Sequence, residues 1–134
     1  MNYCDLPGTG LRVSRICLGT MTFGDQLSEA DAVEAVAYAR ERGVNFFDTA
    51  DIYFRGSAGT SETILGTAVK PFRDKIVLAT KCGGPISDDM NDKGLSRRHV
   101  ISAVEGSLRR LGTDYVDILY YHFPDPAVLS LIHI

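Results

Sequence analysis

Four short apolar runs, centred near positions 17, 46, 78 and 118, recur about 30 to 40 residues apart, and a glycine-bearing loop and a helix-like stretch separate each from the next. That alternation is the pattern of a parallel sheet whose strands are joined by crossover helices. Ile16-Cys17-Leu18 is the first expected strand. Ser28 then caps a helix whose Val33, Val36 and Ala37 share one face, and Gly43 ends it. Val44 to Phe47 is the second strand, and a loop with Gly56 and Gly59 leads to a shorter helix from Ser61 with Ile64, Leu65 and Ala68 inward. Lys75 to Thr80 is the third strand, apolar throughout Ile76-Val77-Leu78-Ala79, which suits a strand covered on both faces. Ser96 opens the strongest helix, with Val100, Val104, Leu108 and Leu111 in line and Gly112 as its stop. Tyr115 to Tyr121 is the fourth strand.

Ahead of this repetition, Tyr3 to Leu6 and Leu11 to Val13 flank the turn-forming Pro7-Gly8-Thr9-Gly10, so the first dozen residues read as a β-hairpin. A closed barrel of eight β/α units takes roughly 250 residues. The 134 residues here supply four strands and three helices. An open doubly wound sheet would place GxGxxG after its first strand, but Gly19-Thr20-Met21-Thr22-Phe23-Gly24 lacks that spacing. The expected fold class is therefore α/β, the N-terminal half of a (β/α)8 TIM barrel preceded by a β-hairpin. Residues 1–128 are assigned to this partial barrel. Leu129-Ser130-Leu131-Ile132-His133-Ile134 resembles the translation of a transposon-end adapter used in sequencing libraries, so 129–134 is expected to be a non-native tail. Unpaired outer strands would make such a half-barrel prone to self-association.

Charge narrows the partners. A net charge of -3 and a pI of about 5.5 give no general attraction to nucleic acid or to anionic lipid. No run approaches the ~20 apolar residues of a bilayer span, and no basic segment leads into an apolar one at the start, which makes a cytoplasmic location the default expectation. Cys4, Cys17 and Cys82 have neither CxxC nor zinc-type spacing, so no disulfide framework and no metal site is expected.

The polar residues that interrupt the apolar strands carry the chemistry. Asp48 follows Phe46-Phe47, Lys81 follows Ala79-Thr80 and His122 follows Tyr120-Tyr121, while Tyr53 comes from the loop after the second strand. In a parallel barrel every strand's C-terminal end opens on one face, where catalytic groups gather. Singly, each has a structural explanation: a turn cap, a solubilising strand-end charge, a satisfied polar residue, loop packing. Together they are harder to explain so, because separate β/α units set their positions.

Phe46 to Tyr53, Ser61-Glu62-Thr63-Ile64-Leu65-Gly66, Ala79-Thr80-Lys81, and Leu108 to Asp117 on through His122 resemble the aldo-keto reductase superfamily. The similarity runs to about Pro126 and looks closest to the bacterial members near the potassium-channel β-subunit and aryl-alcohol dehydrogenase branch. The resemblance implies that Asp48, Tyr53, Lys81 and His122 are a catalytic tetrad, none of them substituted. It implies a nicotinamide cofactor, NADP(H) in preference to NAD(H), near Gly19, Thr20, Met21 and Asp48, and a small carbonyl compound as substrate. Most cofactor-gripping residues of the family would lie beyond Ile134, so the 134-residue chain alone is expected to be inactive. A cofactor-binding, redox-sensing regulatory subunit is the alternative.

The four residue types suit that reaction. Hydride added to a carbonyl carbon leaves negative charge on oxygen, which must be held and protonated. Tyr53 would donate the proton. A free phenol titrates near ~10, so an ammonium such as Lys81 is needed to stabilise the phenolate. Asp48 would hold Lys81, and His122 would donate a hydrogen bond to the carbonyl oxygen. Glu62 and Gly66 are read as structural, a carboxylate suited to a helix N-terminus and a glycine that permits close packing.

Overall fold

The computed structural model describes residues 1–54 and 57–128. The expected tail, 129–134, and Gly56 lie outside the described residues. The chain opens with an antiparallel hairpin, β1 (Tyr3–Asp5) and β2 (Arg12–Ser14), whose register pairs Cys4 with Val13. There follow β3 (Leu18–Gly19), α1 (Glu29–Glu41), β4 (Phe46–Asp48), α2 (Thr60–Val69), a 3-10 segment (Lys70–Lys75), β5 (Val77–Cys82), α3 (Arg97–Leu111) and β6 (Ile118–Tyr121). Strands β3 to β6 form one parallel sheet in sequential order. The order never reverses, as it would in a doubly wound sheet, so the strands wind one way as barrel strands do.

Local chemistry sets the helix ends. Ser28 Oγ accepts from the Asp31 N–H at 3.2 Å and Ser96 Oγ accepts from the His99 N–H at 3.2 Å, each satisfying a donor left over at the first turn. Gly112 takes a left-handed φ of 63° after α3, where a Cβ would be strained. The core lies between helices and sheet, with Phe47, Leu65, Leu78 and Val36 at its centre. A Cβ on Gly66 would strike the backbone of Leu111, so this glycine is what lets α2 and α3 approach so closely.

The hairpin seals the N-terminal end of the sheet through Asn45, which leads into β4. Its Oδ1 accepts from the Ser14 N–H at 2.7 Å and its Nδ2 donates to Arg12 O at 3.0 Å. Tyr3 adds a hydrogen bond from its hydroxyl to Gly43 O at 2.8 Å. With that end occupied, the C-terminal strand ends remain as the open face.

Several expectations about faces need correction. On α1 the buried residues are Ala32, Val36 and Ala39, a stripe at intervals of four and three, while Val33 and Ala37 are exposed. Val33 and Ala37 each follow a buried position by one residue, a rotation of about 100° that carries them off the stripe. Ile16 and Cys17 are exposed and stand just before β3, because β3 is a sheet edge with no strand beyond it among the described residues. β6 begins at Ile118 rather than Tyr115, and Leu119, Tyr120 and Tyr121 are exposed for the same reason. β5 runs on to Cys82, which places Lys81 inside the strand rather than after it. On α3 the buried positions are His99, Ala103, Gly106, Ser107 and Leu111; Val100, Val104 and Leu108 are only half-buried along the margin.

Candidate active site

Strand alternation divides the end of β5 between two environments. Leu78 belongs to the core and the Thr80 hydroxyl reaches Glu62 of α2, so Lys81 projects to the opposite, open side of the sheet. There its Nζ is ion-paired with Asp48 Oδ1, donates to Thr49 O at 2.8 Å and lies 3.1 Å from the Tyr53 hydroxyl. The register that sets Asp48 opposite Ala79 brings its carboxylate within reach two residues along. The pair is partly shielded, with Lys81 and Asp48 side chains 15% and 24% exposed. Tyr53 meets the His122 ring edge-on at 5.8 Å between centroids. His122 extends the β5–β6 ladder, its N–H donating to Cys82 O at 2.8 Å, and its ring stacks on Phe123. Asp48, Tyr53, Lys81 and His122 thus come together on one face.

The electrostatics follow from this packing. Burial works to lower the Lys81 pKa, but its hydrogen bonds to Asp48 and Tyr53 and the charge on Asp48 outweigh burial and raise it, so Lys81 is an ammonium across the neutral range. His122 is held below its ordinary value of 6.5 by burial and then by the Lys81 charge, against the pull of Asp48. Its imidazole is neutral at pH 7, with one N–H to give and one nitrogen to accept. Together the four groups present a phenol bonded to a fixed cation beside a neutral ring donor, an arrangement that can deliver a proton to an oxygen acquiring negative charge.

The residues expected near a cofactor divide. Gly19 lies beside Asp48 in the β3–β4 register and is exposed, and a Cβ there would meet nothing within 4 Å. Met21 is exposed too. Thr20 is not on the open face: it is buried, its N–H and hydroxyl bond Asp48 O at 3.0 and 3.2 Å, and Ser61 Oγ donates to its carbonyl at 2.8 Å. Its backbone and side chain are both used to hold the turn.

A buried polar layer behind the site escaped the sequence reading. Thr20, Thr49, Asp51, Ser61, Glu62 and Thr80 are all buried. Glu62 accepts from Thr80 Oγ1 at 2.6 Å and from Arg110 Nε at 2.7 Å, which ties α2 to β5 and α3. Read from sequence, Glu62 was a helix-terminal carboxylate; the structure makes it a buried ion pair. The available signal was its place three residues before Leu65, on the inward side of a short helix. A surface hollow lined by Ser87, Asp89, Asp92 and His99 includes none of the four candidate groups. Among the described residues no cluster of three or more His, Cys, Asp or Glu side chains is arranged to hold a metal ion.

Comparison with known proteins gives one family. Residues 15–131 match the model of the Aldo/keto reductase family. The chain is 44% identical over 133 residues to a probable voltage-gated potassium channel subunit beta from Arabidopsis thaliana, an alignment covering 95% of the chain and 39% of that protein. It is 45% identical over 133 residues to the uncharacterized oxidoreductase YrpG of Bacillus subtilis (strain 168), covering 93% and 41%. Among solved structures it superposes on aldo-keto reductase AKR11C1 from Bacillus halodurans in its holo form, with a TM-score of 0.78 and 35% identity over 89% of the chain and 39% of that one. The chain spans about two-fifths of the length of these relatives.

Proposed function

The chain belongs to the aldo/keto reductase family, and from that premise we propose that the full-length protein reduces an aldehyde or ketone to the alcohol with a nicotinamide cofactor, NADPH before NADH. The observation that carries the reading is the Lys81 ammonium bonded at once to Asp48 and Tyr53, with His122 against the Tyr53 ring. The cofactor, when bound, supplies hydride to the carbonyl carbon. Gly19, Met21 and Asp48 would flank its ring, and Thr20 would hold the turn that presents them.

The chain's own residues do the rest. His122 donates a hydrogen bond to the carbonyl oxygen and fixes its direction. Tyr53 gives its proton to that oxygen as negative charge develops, and Lys81 stabilises the phenolate left behind. Asp48 keeps Lys81 in place and balances its charge. The site faces an open side of a four-stranded sheet, so residues 1–128, as a partial barrel, do not exclude water from the reaction. We therefore expect the 134-residue chain by itself to be inactive. The test is NADPH consumption with a reactive aromatic aldehyde by the full-length protein: Tyr53→Phe should lose at least 100-fold in kcat, within the usual reach of general acid catalysis. Undiminished turnover in Tyr53→Phe would refute the assignment.

A second reading, a cofactor-binding, redox-sensing regulatory subunit, is favoured by the 44% identity to plant proteins called probable voltage-gated potassium channel subunit beta, in Arabidopsis thaliana and in Oryza sativa subsp. japonica. It predicts slow turnover with cofactor retained through gel filtration, whereas a free-standing reductase releases cofactor each cycle.

A further inference from the structure

Behind the four candidate groups, Asp51 is buried with 0% of its surface exposed, and among the described residues neither of its carboxylate oxygens accepts a well-aligned hydrogen bond, although the N–H groups of Ile52 and of Asp51 itself lie close to them. Its backbone is anchored: the Asp51 N–H donates to Lys81 O at 3.2 Å, and the Tyr53 N–H donates to Ala50 O at 3.3 Å. Asp51 therefore lies in the short segment that connects the residue bearing the ammonium to the residue bearing the phenol. The titratable and charged groups facing it are Glu62 from α2, Arg110 from α3 and the Cys82 thiol from β5. Arg110 is already committed, its Nε 2.7 Å from Glu62 Oε2. Two buried carboxylates facing one guanidinium, itself 25% exposed, carry an excess negative charge, and a single proton removes it.

Resting on the functional reading above, we propose that Asp51 is a positioning residue that works in its protonated form, and that its ionisation displaces the Ala50–Tyr53 segment and with it the phenol that faces Lys81. Burial first and the Glu62 charge second push its carboxyl up to about 7, with Arg110 and the backbone N–H groups of Ile52 and Asp51 opposing. Its proton is thus lost within the neutral range. The Cys82 thiol, pushed up to about 11 by burial and by Asp51, keeps its proton there and does not compete. The segment is also poised to move: Phe54, next to Tyr53, holds a φ of 87°, a left-handed conformation costly for a residue with a Cβ and sustained only by its surroundings.

The experiment uses the 134-residue chain labelled with ring-¹³C tyrosine, the Tyr53 resonance being identified by its loss in Tyr53→Phe. Titration from pH 5 to pH 8.5 should move the Tyr53 resonance with an inflection near 7. In Asp51→Asn that inflection should vanish and the resonance should keep its low-pH position. In Glu62→Gln it should move to lower pH, because Arg110 then faces a single carboxylate. A flat wild-type resonance, or the same inflection in Asp51→Asn, overturns the proposal; the second result would assign the inflection to His122, whose ring meets Tyr53. A merely structural Asp51 would change stability without moving the Tyr53 resonance. The readout needs no turnover, so an inactive full-length protein would sink the functional reading while this titration still gave its own answer.

Discussion

Replacing Asp51 with Asn should make the chain more stable at pH 8 and nearly unchanged at pH 4. The carboxyl has an ordinary value of 3.8 and is raised to about 7 in the folded chain, by burial first and then by Glu62. Between those values the folded state holds a proton that the unfolded state has released, so stability falls as pH rises through the window and levels off above it. A shift of about three units at 1.36 kcal/mol each sets a ceiling near 4 kcal/mol for the loss between pH 4 and pH 8. Asn has nearly the same shape and no charge, so it escapes that loss. The assay is urea unfolding of both chains at half-unit pH steps, taken as a difference so that groups common to both cancel. The difference should be small at pH 4, climb through pH 5 and 6, and plateau above 7 at about 2 to 4 kcal/mol. Parallel curves would refute the reasoning, and a difference that shrank with rising pH would show that Asp51 is paired and stabilising.

Other consequences can be measured on the same chain. Arg110→Met leaves Glu62 and Asp51 buried together without a cation, and should cost about 3 to 5 kcal/mol in urea unfolding at pH 7. Gly66→Ala forces a Cβ into the Leu111 backbone and should cost roughly 1 to 3 kcal/mol, whereas Gly112→Ala, with open space around its Cβ, should cost only the strain of a left-handed residue, about 1 to 2 kcal/mol. The His122 imidazole should titrate below 6.5 by proton NMR, since burial and then Lys81 lower it, and Lys81→Met should move it part of the way back. Because the folded His122 binds its proton more weakly than the unfolded one, its contribution to stability is present above pH 6.5 and fades as pH falls, opposite in sign to that of Asp51.

The alternation of strands and helices was legible because buried parallel strands must be apolar on both faces and glycines must sit where helices stop. Ser28, Gly43, Ser96 and Gly112 serve as the ends they resembled. The convergence of Asp48, Tyr53, Lys81 and His122 was legible as well, because a parallel sheet delivers all its strand ends to one side. Burial was read less well. Ile16 and Tyr121 look like core residues by composition and are exposed because they lie at or beside sheet edges, and edge position depends on neighbours that a local pattern does not contain. Thr20, expected near the cofactor, is buried, and its hydroxyl bonds within the turn, a role that the local sequence does not announce. The Asp51–Glu62–Arg110 layer was hidden for a related reason. A carboxylate is expected at the surface until its cation is known, and that cation is 48 residues away, in α3.

The central claim is that these four side chains serve carbonyl reduction, and isotope transfer tests it most directly. The full-length protein would be incubated with NADPH deuterated at the transferring position and an aromatic aldehyde, and the alcohol examined by mass spectrometry. Deuterium on the carbinol carbon, formed by the wild type and suppressed in Tyr53→Phe and Lys81→Met, is the predicted result. An undeuterated alcohol, or deuterated alcohol formed as fast by both variants, would contradict it.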